Sequence, residues 1–167
     1  MEALWQQVVI RASKEVVGII MSSSNLGALF LQEQMVAIVN QMSIPLIEIS
    51  LVLQKYTKAL VAELNKHAQQ SNEILPENIL QPLPLEGDIE SGDAGIEIDM
   101  QKIVSMTDVD RMDIFDTVIR TAINEKETPL FDALLVIREW EKLARTQLVK
   151  STSAGQLFSP LELPEGF

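Results

Sequence analysis

The chain has 167 residues, of which 24 are acidic and 13 basic, for a formal net charge of −11; 47% are hydrophobic, 5% aromatic, and none is cysteine. This is about one domain's length of chain, and the missing thiols exclude a disulfide framework, a CxxC redox pair and a cysteine-rich zinc site. A single His excludes a histidine-rich metal cluster, and the acidic balance argues against a broad phosphate-binding surface, so no direct nucleic-acid partner is predicted.

The charge is unevenly spread. Residues 1–73 carry five basic and six acidic side chains, whereas residues 74–167 carry eight basic and eighteen acidic ones, and no Asp precedes Asp88. An apolar, nearly neutral half is thus joined to a strongly acidic half.

Trp5, Val8, Val9, Ala12, Val16, Ile19 and Ile20 recur at three- and four-residue steps and predict a helix over about 2–21. Ser22 to Asn25 interrupt it, because short polar side chains compete for backbone hydrogen bonds. A second helix is predicted over 26–42. Ser43 and Pro45 mark a new start, and a third follows over 45–70, with Ile49, Leu53, Tyr56, Leu60 and Leu64 on one face and Ile47 and Leu51 widening it.

The stretch from 74 to 106 reads as an extended acidic connector, rich in Pro and Gly between Pro76 and Gly95. Ile96-Glu97-Ile98 alternates as a short strand would. Thr107-Asp108-Val109-Asp110 reads as a cap with acids in the first turn, opening a helix over 107–125. Thr128-Pro129 reads as a capping hydroxyl before a first-turn proline, opening a helix over 129–150. An extended C-terminal tail is expected over 151–167. The predicted class is all-α, with about five helices: an apolar N-terminal bundle and a C-terminal antiparallel helix pair, joined by the extended connector.

Each candidate site competes with a plainer reading. Residues 16–47 carry one charge, Glu33, but their longest apolar runs are about six residues, far short of the roughly 20 a spanning helix needs. Burial against protein is preferred to membrane insertion. No secretory signal is predicted, because residues 1–10 lack a basic start. Asp108, Asp110, Asp113 and Asp116 could hold a hard cation, but no Glu-x-x-His completes the set, and a capped, solvated face is preferred. The acids from Glu86 to Asp93 do not fit the EF-hand spacing. His67 lacks a GxSxG elbow or any comparable nucleophile motif, and no glycine-rich phosphate loop occurs. Arg111, Arg120, Arg138 and Arg145 lie among acids and are expected to form ion pairs. No catalytic, cofactor or metal residue is predicted.

The expected function is that of a non-enzymatic structural or assembly subunit of a multisubunit particle, such as a virion or a secretion-type apparatus. Its partners would be protein chains, in a homo-oligomer or a large hetero-assembly, in the cytoplasm or a virion. Trp5, Leu29, Phe30, Phe158, Leu161 and Phe167 are the candidate partner-binding residues, the last three because a short apolar tail suits docking into a groove. An acidic adaptor or chaperone for a basic partner is the first alternative, and a membrane-active helical protein the second.

Overall fold

The computed structural model describes residues 26–85 and 99–167. The predicted helix over 2–21, the Ile96–Ile98 strand and Trp5 lie outside the described residues. Among those described, the regular structure is helical. Helix α1 covers 26–42, α2 Leu46–Gln70, α3 Glu77–Leu80, α4 Met100–Ser105, α5 Val109–Glu125 and α6 Leu130–Lys150; a 3-10 turn follows at Ala154–Phe158.

Helix α2 is the central element. Both α5 and α6 pack on it more closely than on each other, and the 3-10 turn packs on it as well. The C-terminal pair is therefore organised by α2 rather than by a seam of its own. One apolar core joins the two halves of the chain. Leu31, Met35 and Val39 of α1, spaced four apart, enter it with Ile49, Val52, Leu53 and Leu60 of α2. Phe115, Ile119 and Ala122 of α5 and Leu134, Ile137, Trp140 and Ala144 of α6 complete it. A smaller cluster of Ile47, Ile103 and Leu157 ties α4 and the 3-10 turn to the start of α2.

The helix starts have local causes. The Asp108 carboxylate accepts the Arg111 backbone N–H at 3.1 Å, the cap that the sequence predicts. Thr128 differs from expectation. The N-cap of α6 is Pro129, with no side-chain cap. The Thr128 hydroxyl is instead buried and unpartnered, against Gly27 of α1. Two parts of the expected connector are helical. Pro76 supplies the extended N-cap conformation of α3, and the Asp99 carboxylate caps α4 by accepting the Gln101 and Lys102 N–H groups.

The tail is not simply extended. After its 3-10 turn it runs back beside the start of α2, where the Leu46 N–H donates to the Ser159 carbonyl at 2.8 Å and the Leu161 N–H to that of Ile44 at 3.1 Å. The Gln147 side chain then pairs with both backbone groups of Glu162, donating at 2.6 Å and accepting at 3.0 Å. Leu161 is buried in the core, and Phe167 meets Trp140 edge to face with ring centroids 5.1 Å apart.

Candidate functional site

Three polar attachments lie along α2. The first is Glu48, a carboxylate 1% exposed within an apolar run. It accepts the Asp108 N–H at 2.8 Å and two guanidinium N–H groups of Arg111, Nε at 2.6 Å and Nη2 at 2.7 Å. That hydrogen bonding raises the Arg111 pKa from its ordinary value. One buried carboxylate thus fastens the start of α5 to α2. Further along, Asp116 accepts from Lys55 at 2.8 Å and from the Tyr56 hydroxyl. Burial and then Asp116 push the Tyr56 pKa upward. The third attachment joins α2 to α6, where the Thr57 hydroxyl donates to Glu141 at 3.0 Å.

The junction that Glu48 fastens carries an apolar strip. Met100, Val104, Met106 and Val109 are 51%, 49%, 60% and 65% exposed. Ile103, between them, is buried against Ile47 and Leu157 and holds α4 down. Exposed acids border the strip at Asp99, Asp108, Asp110 and Asp113. Scattered single apolar residues are ordinary on a surface, whereas four exposed ones within ten residues of chain make this junction a candidate contact face.

Beside it, between α2 and α6, lies a pocket of about 500 Å³, reached by Met100 at one side and closed by Leu80 and Pro82 at another. Ile47, Leu51, Val61 and Leu148 supply apolar walls, and the polar lining includes Ser50, Lys58, Arg138, Glu141 and Arg145. Arg138 is 5% exposed. Its Nη2 donates to the Ile79 and Leu80 carbonyls at 3.4 and 3.3 Å, and its Nη1 to Glu141 at 3.2 Å. Arg145 donates to the Leu83 carbonyl and stands 3.5 Å from Glu141. These contacts bind segment 79–83 to α6.

The candidate residues scatter over the molecule. Leu29 is exposed, at 55%. Phe30 packs partly against the main core, with the Lys126 ammonium 5.0 Å from its ring centroid. Phe158 packs against the smaller cluster. Leu161 and Phe167 are seated on the chain's own core, not held out on a free arm. Arg111, Arg138 and Arg145 pair with acids, and the Arg120 guanidinium donates to the Thr117 hydroxyl at 3.5 Å. His67 is exposed, 3.3 Å from Glu63. Among the described residues, no three His, Asp or Glu side chains converge as a metal site requires, and no helix is long and apolar enough to cross a membrane.

Sequence reasoning missed Glu48, the strip and the pocket. Glu48 had a signal, since it is the sole charge between Ile44 and Leu53, and a charge in such a run is either a break in burial or a buried partner. The strip and the pocket are assembled from separate segments and leave no local pattern. Neither a protein family, nor a curated protein, nor a solved structure matches the chain.

Proposed function

We infer that this chain is a non-enzymatic assembly subunit that works by protein contact. The apolar strip from Met100 to Val109 is its contact face, and a second copy of the chain is the occupant. The carrying observation is that this strip is exposed yet fastened, through buried Ile103 and through the Glu48–Arg111–Asp108 knot. A face already fixed by its own fold loses little conformational freedom on binding, so more of its apolar burial appears as affinity. Two-fold dimers are the commonest assemblies of identical chains and pair a patch with itself, which an apolar strip permits. An enzymatic reading has little to rest on, since the sole imidazole, His67, is exposed beside Glu63.

The acids around the strip give this reading a signature. Two copies bring like charges together, so added salt, by screening them, favours association. The adaptor reading, in which the acidic half holds a basic partner, predicts weakening by salt instead.

The absence of native cysteine allows a unique label. A nitroxide on Gln101→Cys, an exposed α4 position that leaves the strip's apolar residues in place, is expected to show dipolar coupling between copies that strengthens with salt. No coupling at any concentration or salt would overturn the second-copy reading.

A further inference from the structure

Four buried side-chain polar atoms lack a hydrogen-bond partner among the described residues: Ser50 Oγ, Thr128 Oγ1, Arg138 Nε and Arg145 Nε. Ser50 and Arg138 line the pocket between α2 and α6, as does Arg145, whose Nε has no partner nearer than the Glu141 carboxylate at 3.5 Å. Buried donors are almost always satisfied, so orphans gathered around one cavity point to a ligand that supplies acceptors.

The charges narrow the ligand's chemistry. Arg138 and Arg145 share one carboxylate, Glu141, and exposed Lys58 also lines the pocket, so the lining is net positive. An anionic head group on the ligand is complementary to it. The unpartnered groups are the Arg138 Nε–H and the Ser50 hydroxyl, with the Arg145 Nε–H only distantly paired, so a ligand rich in acceptors and poor in donors suits them. A peptide brings its own backbone N–H groups, for which these walls offer few acceptors. The walls are otherwise largely aliphatic, and the volume of about 500 Å³ falls in the range of small-molecule sites.

We propose that the pocket between α2 and α6 binds an aliphatic monocarboxylate, its hydrocarbon chain along Ile47, Leu51, Val61 and Leu148 and its carboxylate on Arg138 and Arg145 beside Ser50. Met100 lines this pocket and also stands in the contact strip, but the head-group residues Ser50, Arg138 and Arg145 lie outside the strip. Binding would also consolidate segment 79–83, whose carbonyls the same two arginines hold.

The test is a titration of the full chain with decanoate, followed by amide NMR shifts at Ser50, Thr57 and Glu141. Saturable one-to-one binding is expected, with decan-1-ol at least about tenfold weaker because it lacks the charge-assisted bonds. Ser50→Leu, which fills the pocket, and Arg145→Met, which removes one head-group donor, should each abolish saturation while thermal melts report an intact fold. Arg138 is left in place because it is the more buried of the two arginines and holds two carbonyls of segment 79–83, where Arg145 holds that of Leu83. Equal binding of alcohol and acid, binding that survives both variants, or no saturable shift would overturn the proposal. So would tighter binding of a peptide ending in a free leucine carboxylate, which would reassign the pocket to a protein C-terminus.

Discussion

Glu48 and Arg111, 63 residues apart in the chain, form a two-point ion pair with Nε–Oε2 at 2.6 Å and Nη2–Oε1 at 2.7 Å. The carboxylate is 1% exposed and the arginine side chain 28%. Breaking a buried pair strands a charge, which is worse than replacing both partners with apolar groups. Arg111→Met is therefore expected to destabilise the fold by about 3 kcal/mol. Glu48→Gln, which keeps a carbonyl acceptor, should cost about 1–2 kcal/mol. The double variant Glu48→Met with Arg111→Met should recover most of the loss. Urea unfolding midpoints of the four proteins decide it, and a double variant no more stable than Arg111→Met alone would count against the buried-pair account.

Asp116 gives the fold an acid sensitivity. Burial alone would raise its pKa, but the hydrogen bonds from Lys55 and Tyr56 outweigh this and hold it below its ordinary 3.8. The folded chain therefore binds that proton more weakly than the unfolded chain. The stabilisation is present above the unfolded value and lost as pH falls through the folded one. Asp116→Asn should cost about 1–2 kcal/mol near neutral pH, and the gap between variant and wild type should close as pH drops below 3.8. Denaturant curves across that range measure it, and a gap that stays constant would contradict the assignment. Tyr56 works in the opposite direction. Its raised pKa adds stability below its ordinary 10.0 that is lost as pH rises through the higher folded value.

The C-terminal tail is predicted to be part of the core. Leu161 is 6% exposed, so Leu161→Ala should cost about 2–3 kcal/mol. Phe167→Ala removes the edge-to-face contact with Trp140 and should cost about 1 kcal/mol. Thermal and urea unfolding read both losses. Unchanged midpoints would mean that the tail contributes nothing to the fold.

The close approach of α1 to the start of α6 makes a coupled prediction. A Cβ at Gly27 would lie 2.5 Å from Thr128 Oγ1 and 3.3 Å from its Cγ2. Gly27→Ala should therefore destabilise by about 1–3 kcal/mol through overpacking. Thr128→Ala removes both atoms and a buried hydroxyl without a partner, so the double variant should be more stable than Gly27→Ala alone. Additive losses in this double-mutant cycle would contradict the contact.

The long helices were legible because their signals are local. The apolar stripe of Leu31, Met35 and Val39, the proline at 45 and the Asp108 cap place the end of α1 and both ends of α2 and α5 within two residues of their observed bounds. Helix α6 was placed from Thr128-Pro129, although the Thr128 hydroxyl serves no cap. Helices α3 and α4, at four and six residues, are too short to display a period. Their positions depend on partners distant in sequence, such as the Arg138 guanidinium on the Ile79 carbonyl and Ile103 against Ile47. The Pro-rich tail looked like a free arm for the same reason. Its pairing with Ile44, Gln147 and Trp140 is tertiary, and no pattern within 151–167 encodes it. The average charge of −11 likewise concealed an apolar strip bordered by acids.

The most direct test of the contact function is light scattering coupled to size exclusion, on the wild type and on Met106→Asp with Val109→Asp, at low and high salt. The account predicts a wild-type mass above the 18.6 kDa of one chain, rising with concentration and with salt, and a variant that stays at one chain throughout. A wild type that remains at 18.6 kDa in every condition, a mass that falls as salt rises, or a variant that assembles as well as the wild type would contradict it.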